Sequence, residues 1–382
     1  MLKSTKYDSK LIRVFEPRIS LKDILSVAKT VKDNEISGTS NAVSEFELNL
    51  ANYFERKFSV AVPNGSIALE VALNILNLKK GDEVIVPSFT IISCLSAIIR
   101  NGLKPVFCDV NIKTWNMTLD NIQKVRTSNT KAILMVHTYG LTADAIEIEN
   151  YCKEKNIFLI EDAAEAHGQY VLNRKCGTFG DISTLSFYAN KHLTTGEGGA
   201  ILFNSEEYYQ KAKKLTNLDF DNLQRFKHDN FYWNYRISGM QASLGNSQLK
   251  NIKKTIDNKI KQGNFYNKYF ENYQDFFQLP LIRNDLSENH YWVYGLVLKQ
   301  DNLREVITAM LLKKNIETRP FFWPLHLQNA LKKYDFFDSS LKLANSEHIG
   351  RNGFYIPIGS HLSLKKQNYI AQTLIESLKK LA

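Results

Sequence analysis

Residues 160–203, IEDAAEAHGQYVLNRKCGTFGDISTLSFYANKHLTTGEGGAILF, decide how this chain is read. An apolar strand, Ile157-Phe158-Leu159-Ile160, ends on the acidic pair Glu161-Asp162. A glycine-rich linker leads to a second expected strand, Thr184-Leu185-Ser186-Phe187-Tyr188. Past that strand a single lysine, Lys191, enters a turn of small and hydroxylated residues, Thr194-Thr195-Gly196-Glu197-Gly198-Gly199. Such flanks do not describe a solvated face. An amine condenses with an aldehyde only when unprotonated, so a reactive lysine needs a desolvated or cationic setting. A carboxylate at one strand end and a lysine just past the next suit a cofactor with a basic ring nitrogen and an aldehyde. Pyridoxal phosphate has both.

The flanking sequence is consistent with this reading. On the N-terminal side an arm leads into a helix over 22–33, and a second helix carries Phe46, Leu50, Tyr53 and Phe54 on one stripe. Strands are then expected over 58–62, 83–87, 104–109, 131–137 and 157–162, separated by helices over 67–78, 91–100, 119–125 and 144–154. This alternation predicts a parallel sheet covered on both faces, with ligands at the carboxyl edge of the strands. Asn64-Gly65-Ser66, Phe89, His137 and Asp162 all fall at that edge. The strand–glycine–helix turn at 63–67 is open to two readings, a phosphate site on free helix N–H groups or a plain N-cap. Phe89 is read either as stacking on a cofactor ring or as core packing. Ser186 is either a phosphate donor or a buried strand serine, and His167 is read as structural.

Beyond 203 the chain is expected to be helical over 205–215. A loop rich in aromatic and charged residues follows at 218–235, then a helix from Gly239 and lysine-rich helical sequence to about Tyr273. From Phe277 onward the alternation changes to a strand over 291–298, a helix over 303–315 and a closing helix over 366–381. The expected division is a large domain over 1–250 and a smaller α+β domain over 251–382. Hydrophobic content of 44% with 23% charged residues is ordinary for a globular enzyme. The net charge of +10 is spread along the chain, which argues against nucleic-acid binding. No apolar run suits a membrane span, and the N-terminus lacks a signal-peptide core, so a cytoplasmic protein is expected. The four cysteines are far apart and suggest neither a disulfide framework nor a metal site.

The ordered set Glu161-Asp162-Ala163-Ala164-Glu165-Ala166-His167-Gly168, Gly180-Asp181, Ser186-Phe187-Tyr188, Asn190-Lys191 and Thr195-Gly196-Glu197-Gly198-Gly199 resembles the DegT/DnrJ/EryC1/StrS family of pyridoxal-phosphate-dependent nucleotide-sugar aminotransferases. The similarity extends to Asn64-Gly65-Ser66, to 81–87, to His137-Thr138-Tyr139-Gly140 and to Asn234-Tyr235-Arg236. It implies an α/β, aspartate-aminotransferase-like fold of type I, and a homodimer with active sites shared across the interface. It implies Lys191 as the cofactor-bonding lysine and proton shuttle, and Asp162 as the partner of the ring nitrogen. Gly65, Ser66 and Ser186 become phosphate ligands beside Asn64, with Asn234 reaching in from the neighbouring subunit. Phe89 matches the ring-stacking position, and Glu165 stands near the cofactor's 3-oxygen. The stretch 316–326, with Glu317-Thr318-Arg319-Pro320 and His326, is similar to the perosamine-forming branch. There it implies Arg319 and His326 as sugar contacts, with an ion pair as the alternative role for Arg319; Tyr235 is a further candidate substrate contact. The substrates so implied are a nucleotide-diphosphate 4-keto-6-deoxyhexose and L-glutamate. In the family's 3-dehydratase branch histidine replaces the lysine, and Lys191 argues against that branch.

Overall fold

The structure, a computed structural model, describes residues 11–220 and 225–381. The start of the expected arm (1–10) and residues 221–224 of the aromatic loop lie outside the described residues. Helices α1 (Leu21–Lys32) and α2 (Asn41–Tyr53) come first, α1 opened by a capping box between Ser20 and Asp23. The alternation then runs β1 (Phe58–Val62), α3 (Gly65–Ile75), β2 (Glu83–Pro87), α4 (Ile92–Arg100), β3 (Lys104–Cys108), α5 (Leu119–Val125), β4 (Thr130–Val136), α6 (Ala145–Lys155) and β5 (Phe158–Asp162). A small hairpin, β6 (Tyr170–Val171) and β7 (Arg174–Lys175), precedes β8 (Ile182–Ser186) and β9 (Gly199–Phe203).

Seven of these strands form one sheet in the order β1-β9-β8-β5-β4-β2-β3. Neighbours from β8 to β3 are parallel, while β9 is antiparallel to both β8 and β1. Only β9 runs against the rest, so six carboxyl ends share one edge. Alternation along β5 separates two cores. Leu159 packs with Phe46 and Ile148, whereas Ile160 packs with Leu69 of α3 and Leu95 of α4.

The strand expected over 184–188 starts and ends two residues earlier. Ile182 already pairs with Ile160 and Phe203, and after Ser186 the chain leaves the ladder. Strand β9 carries no assignment in the sequence reading. It fits beside β1 because Gly199 has no side chain: a Cβ there would lie 2.6 Å from the Asn64 carbonyl.

Helices α7 (Glu206–Thr216), α8 (Gly239–Leu249) and α9 (Ile252–Phe270) lead to a second sheet. It contains β10 (Phe277–Gln278), β11 (Tyr294–Leu298), β12 (Arg319–Pro320) and β13 (Gly353–Ile356), all antiparallel, in the order β10-β11-β13-β12. Helices α10 (Arg304–Lys313), α11 (Ala344–Asn352) and α12 (Leu364–Lys379) complete the chain. The strand expected from 291 begins at Tyr294, because Tyr291 has a φ of 48° and cannot sit in a ladder. Ile12 of the arm packs into this second core and bridges to Ile316, which brings residues 12–15 back over the main sheet edge.

Candidate active site

Asp162 is the last residue of β5 and shares the face of Ile160, towards α3 and α4. It is buried; its Oδ1 accepts from the Ala164 N–H at 3.0 Å, and the Cys94 thiol lies 3.6 Å from Oδ2. Burial raises its carboxyl pKa, opposed by the Ala164 N–H and the Lys191 charge. Ser186, two residues beyond Thr184 on β8, lies on the same face as Ile182 and closes the adjacent strand.

Lys191 follows β8 in the loop that returns to β9. Its Nζ lies 3.4 Å from Glu165 Oε1 and 3.8 Å from the centroid of the Trp292 indole. The indole is held in turn, its Nε1–H donating to the Asn190 carbonyl at 3.1 Å. Glu165 Oε2 accepts from the Tyr139 N–H at 2.9 Å. Burial pushes the Glu165 carboxyl up to about 7, against the opposing pull of Lys191. His167 is buried and accepts from the Leu193 N–H, and burial holds its pKa down to about 3, so it is neutral and structural.

At the other end, β1 delivers the start of α3. Asn64 serves as its N-cap, Oδ1 accepting from the Ile67 N–H at 2.9 Å, so the helix begins two residues before the expected position. Gly65 and Ser66 form the first turn, whose N–H groups have no intrahelical acceptor. A Cβ on Gly65 would lie 2.8 Å from Ser186 Cβ, so only glycine lets this helix start approach β8. Ser66 Oγ sits 2.7 Å from Ser93 Oγ.

Asp162, Glu165, Lys191, Gly65, Ser66 and Ser186 face a single cavity of about 340 Å³. A helix start and two serine hydroxyls favour a phosphate at one end. A buried carboxylate favours a protonated ring nitrogen at the other, and the lysine lies along the wall. Asn190 also lines the cavity, and its Oδ1 is buried without a hydrogen-bond partner. These residues fit pyridoxal phosphate, and the volume suits a small cofactor plus part of a substrate.

Other expected residues are placed differently. Phe89 does not line the cavity; it is fully buried, edge-on to Tyr139 at 5.5 Å and packed on Phe321, which is the core-packing reading. Arg319 makes the ion pair of its alternative reading, with Glu317 at 3.1 Å, and also lines the cavity. His326 is not a cavity residue. Its Nδ1 lies 2.6 Å from Ser88 Oγ and its Nε2 3.4 Å from Glu347, and the main chain at 325–326 is bonded to Ser88 as well. That anchoring engages both ring nitrogens and leaves the ring outside the wall of this cavity. Asn234 and Tyr235 lie off this cavity; Asn234 is exposed and Tyr235 Oη reaches Glu70 at 3.4 Å. The aromatic loop presents Phe226, Phe231 and Trp233 to solvent. Phe15, Trp292 and Tyr355 are among the wall residues that sequence reasoning missed. Each comes from a part of the chain far from 160–203, and no local pattern marks it.

The fold and this site fit a pyridoxal-phosphate-dependent aminotransferase, and the family and relatives make it a sugar aminotransferase. Residues 17–375 match the DegT/DnrJ/EryC1/StrS aminotransferase family, and the chain belongs to that family. It is 33% identical over 368 residues to the GDP-perosamine synthase of Escherichia coli O157:H7, covering 96% of this chain and 98% of that one. It is 28% identical over 370 residues to the GDP-4-keto-6-deoxy-D-mannose 3-dehydratase of Yersinia pseudotuberculosis, covering 88% and 91%. Among solved structures it is similar to the aminotransferase TlmJ from Streptoalloteichus hindustanus, with a TM-score of 0.90 and 25% identity over 97% of this chain and 100% of that one. No described helix is long and apolar enough to cross a membrane.

Proposed function

We propose that the protein transfers an amino group from L-glutamate to a nucleotide-linked 4-keto-6-deoxyhexose. GDP-4-keto-6-deoxy-D-mannose is the substrate of choice and GDP-perosamine the product, serving surface-polysaccharide (O-antigen) synthesis in the cytoplasm. The observation that carries the reaction type is the meeting of Asp162 and Lys191 in one cavity with the start of α3. The sugar choice rests on the likeness to the E. coli enzyme and on Arg319 facing the same cavity.

Pyridoxal phosphate, when bound, supplies an aldehyde for the amine and an electron-accepting ring. In this reading the Gly65 and Ser66 N–H groups and the Ser66 and Ser186 hydroxyls hold its phosphate. Asp162 keeps the ring nitrogen protonated. Lys191 Nζ takes the proton from the α-carbon of glutamate and later returns a proton to C4 of the sugar. Glu165, near neutrality in its titration, holds or releases a proton beside the cofactor's 3-oxygen. Trp292 and Phe322 keep water from the amine. The active unit is a homodimer in which Asn234 and Tyr235 serve the neighbouring cavity, in keeping with their position off their own. The 3-dehydratase reading has the Yersinia relative in its favour, but Lys191 opposes it.

Product analysis tests the proposal. Purified protein with the cofactor and glutamate is incubated with GDP-, dTDP- and UDP-linked 4-keto-6-deoxy sugars. A 4-amino product from the GDP sugar, with one 2-oxoglutarate formed per sugar, supports it. Turnover of only a dTDP or UDP sugar overturns the sugar assignment, and a 3-deoxy product without transfer of nitrogen overturns the reaction.

A further inference from the structure

Lys259 lies in the middle of α9 and is 6% exposed. Its Nζ donates to the main-chain carbonyl of Trp292 at 2.6 Å. Among the described residues it has no carboxylate partner, and a buried ammonium without a counter-ion is costly. A polar group in that position calls for a reason, and its neighbours supply one. Trp292 is the residue whose indole lies under the Lys191 amine, 3.8 Å from Nζ to the ring centroid. One residue therefore separates a buried lysine from a half-buried one, gripped through its carbonyl by Lys259 and covered on its ring by Lys191.

We propose that Lys259 is a positioning residue for Lys191. Through the Trp292 carbonyl it fixes the indole beneath the reactive amine, and its ammonium is the cationic neighbour that favours loss of the proton on the Lys191 nitrogen. This rests on the aminotransferase reading, in which Lys191 must be unprotonated to act.

The surrounding charges are consistent with it. Lys191 is faced by Asp162, Glu165 and His167 from β5 and the segment after it, by Trp292 before β11 and by Lys259 from α9, and it shares its cavity with Glu197, Arg319, Tyr188 and Tyr355. Asp162 and Glu165 are the acids beside the amine, and Lys259 is the cation on the far side of Trp292. Lys259 shares a small cavity with Lys191, His192, Glu16 and Arg18 and has His361 nearby, and burial holds both imidazoles below their ordinary pKa. Burial, then the Lys191 charge, brings Lys259 itself down to about 7, so its push is strongest below neutrality.

The test is a pH titration of the visible absorption of the cofactor-loaded, full-length protein. Lys259→Met removes both charge and hydrogen bond, Lys259→Gln keeps a donor without the charge, and Lys259→Arg keeps both. The Met and Gln variants are expected to raise the midpoint by on the order of one pH unit, because loss of a nearby cation favours the protonated nitrogen. The Arg variant, charged throughout, is expected to hold the midpoint at or below the wild-type value. Intrinsic fluorescence should change in the Met variant and much less in the Gln variant, which still grips the Trp292 carbonyl. A folded Met or Gln variant with an unmoved midpoint overturns the proposal. So does loss of the native fold in both, which would make Lys259 a structural group. Failure of wild-type protein to develop any cofactor absorption would instead sink the aminotransferase reading, so the two failures are distinguishable.

Discussion

Glu161 and Asp162 are consecutive, both buried, and both at the end of β5, yet they stand in opposite surroundings. Glu161 accepts from His137 Nε2 at 2.9 Å, the Gly177 and Phe179 N–H groups at 2.7 and 2.9 Å, and Ser183 Oγ at 2.7 Å. His137 is itself fixed, its Nδ1 accepting from the Ala143 N–H. Cys176 comes close enough to suggest a metal site, but both ring nitrogens of His137 are already engaged. Asp162, one residue on, has one backbone donor and one weak thiol donor, and otherwise faces the cavity. Strand alternation alone sends the first carboxylate into a saturated network under the 160–180 linker and the second into the site. Saturation holds a loop in place, and incompleteness leaves a charge available for chemistry.

That contrast can be broken by substitution. The largest effect is expected at the lysine the cavity is built around: Lys191→Ala should lower transamination about 10³-fold or more, measured as 2-oxoglutarate formed from glutamate. Asp162→Asn should cost about 10²–10³-fold in kcat with little change in the denaturant midpoint. Glu161→Gln should do the reverse. It places an amide N–H₂ against donors that need an acceptor, at a cost of about 3 kcal/mol in urea unfolding, while activity per folded molecule stays within a few-fold. If Asp162→Asn unfolds the protein and Glu161→Gln abolishes turnover in folded protein, the division of labour is wrong.

Glu165 sharpens the comparison through pH. Its carboxyl is raised from 4.5 to about 7 by burial, so between those values the native state holds a proton the unfolded chain has lost. Stability should therefore be highest below about 4.5, as far as this group is concerned, and fall as pH rises to about 7. The linkage is on the order of 3 kcal/mol. Glu165→Gln should flatten that limb of the stability–pH curve, and an unchanged limb would contradict the assigned protonation. The smallest effect is expected at Arg319, whose side chain is 51% exposed. Arg319→Ala should raise KM for the nucleotide sugar about fivefold and change stability by less than about 1 kcal/mol.

The parts of the molecule that could be read from the sequence are those in which neighbours in the chain are also neighbours in space. The strand at β5, the glycine turn into α3, and the lysine after β8 each carry their pattern within a dozen residues. Their convergence follows from the parallel sheet. Strand β9 escaped because Gly199-Ala200-Ile201-Leu202-Phe203 directly follows the turn and is buried at every position, so it shows no alternation; its place depends on β1, far back in the chain. The same limit separates Arg319 from His326. Both belong to one motif, but the histidine is captured by Ser88, 238 residues away, and the arginine is not. Trp292 and Lys259 were invisible for a related reason. Tyr291 turns the chain with a left-handed φ just before β11, and that turn sets the indole under Lys191.

The central claim is that Lys191 is the amine that bonds the cofactor in this cavity. Borohydride reduction of the cofactor-loaded protein, followed by peptide mass mapping, tests it most directly. The account predicts one pyridoxyl group per chain, on the peptide containing Lys191. No modification, or modification at another lysine with Lys191 unlabelled, would contradict it.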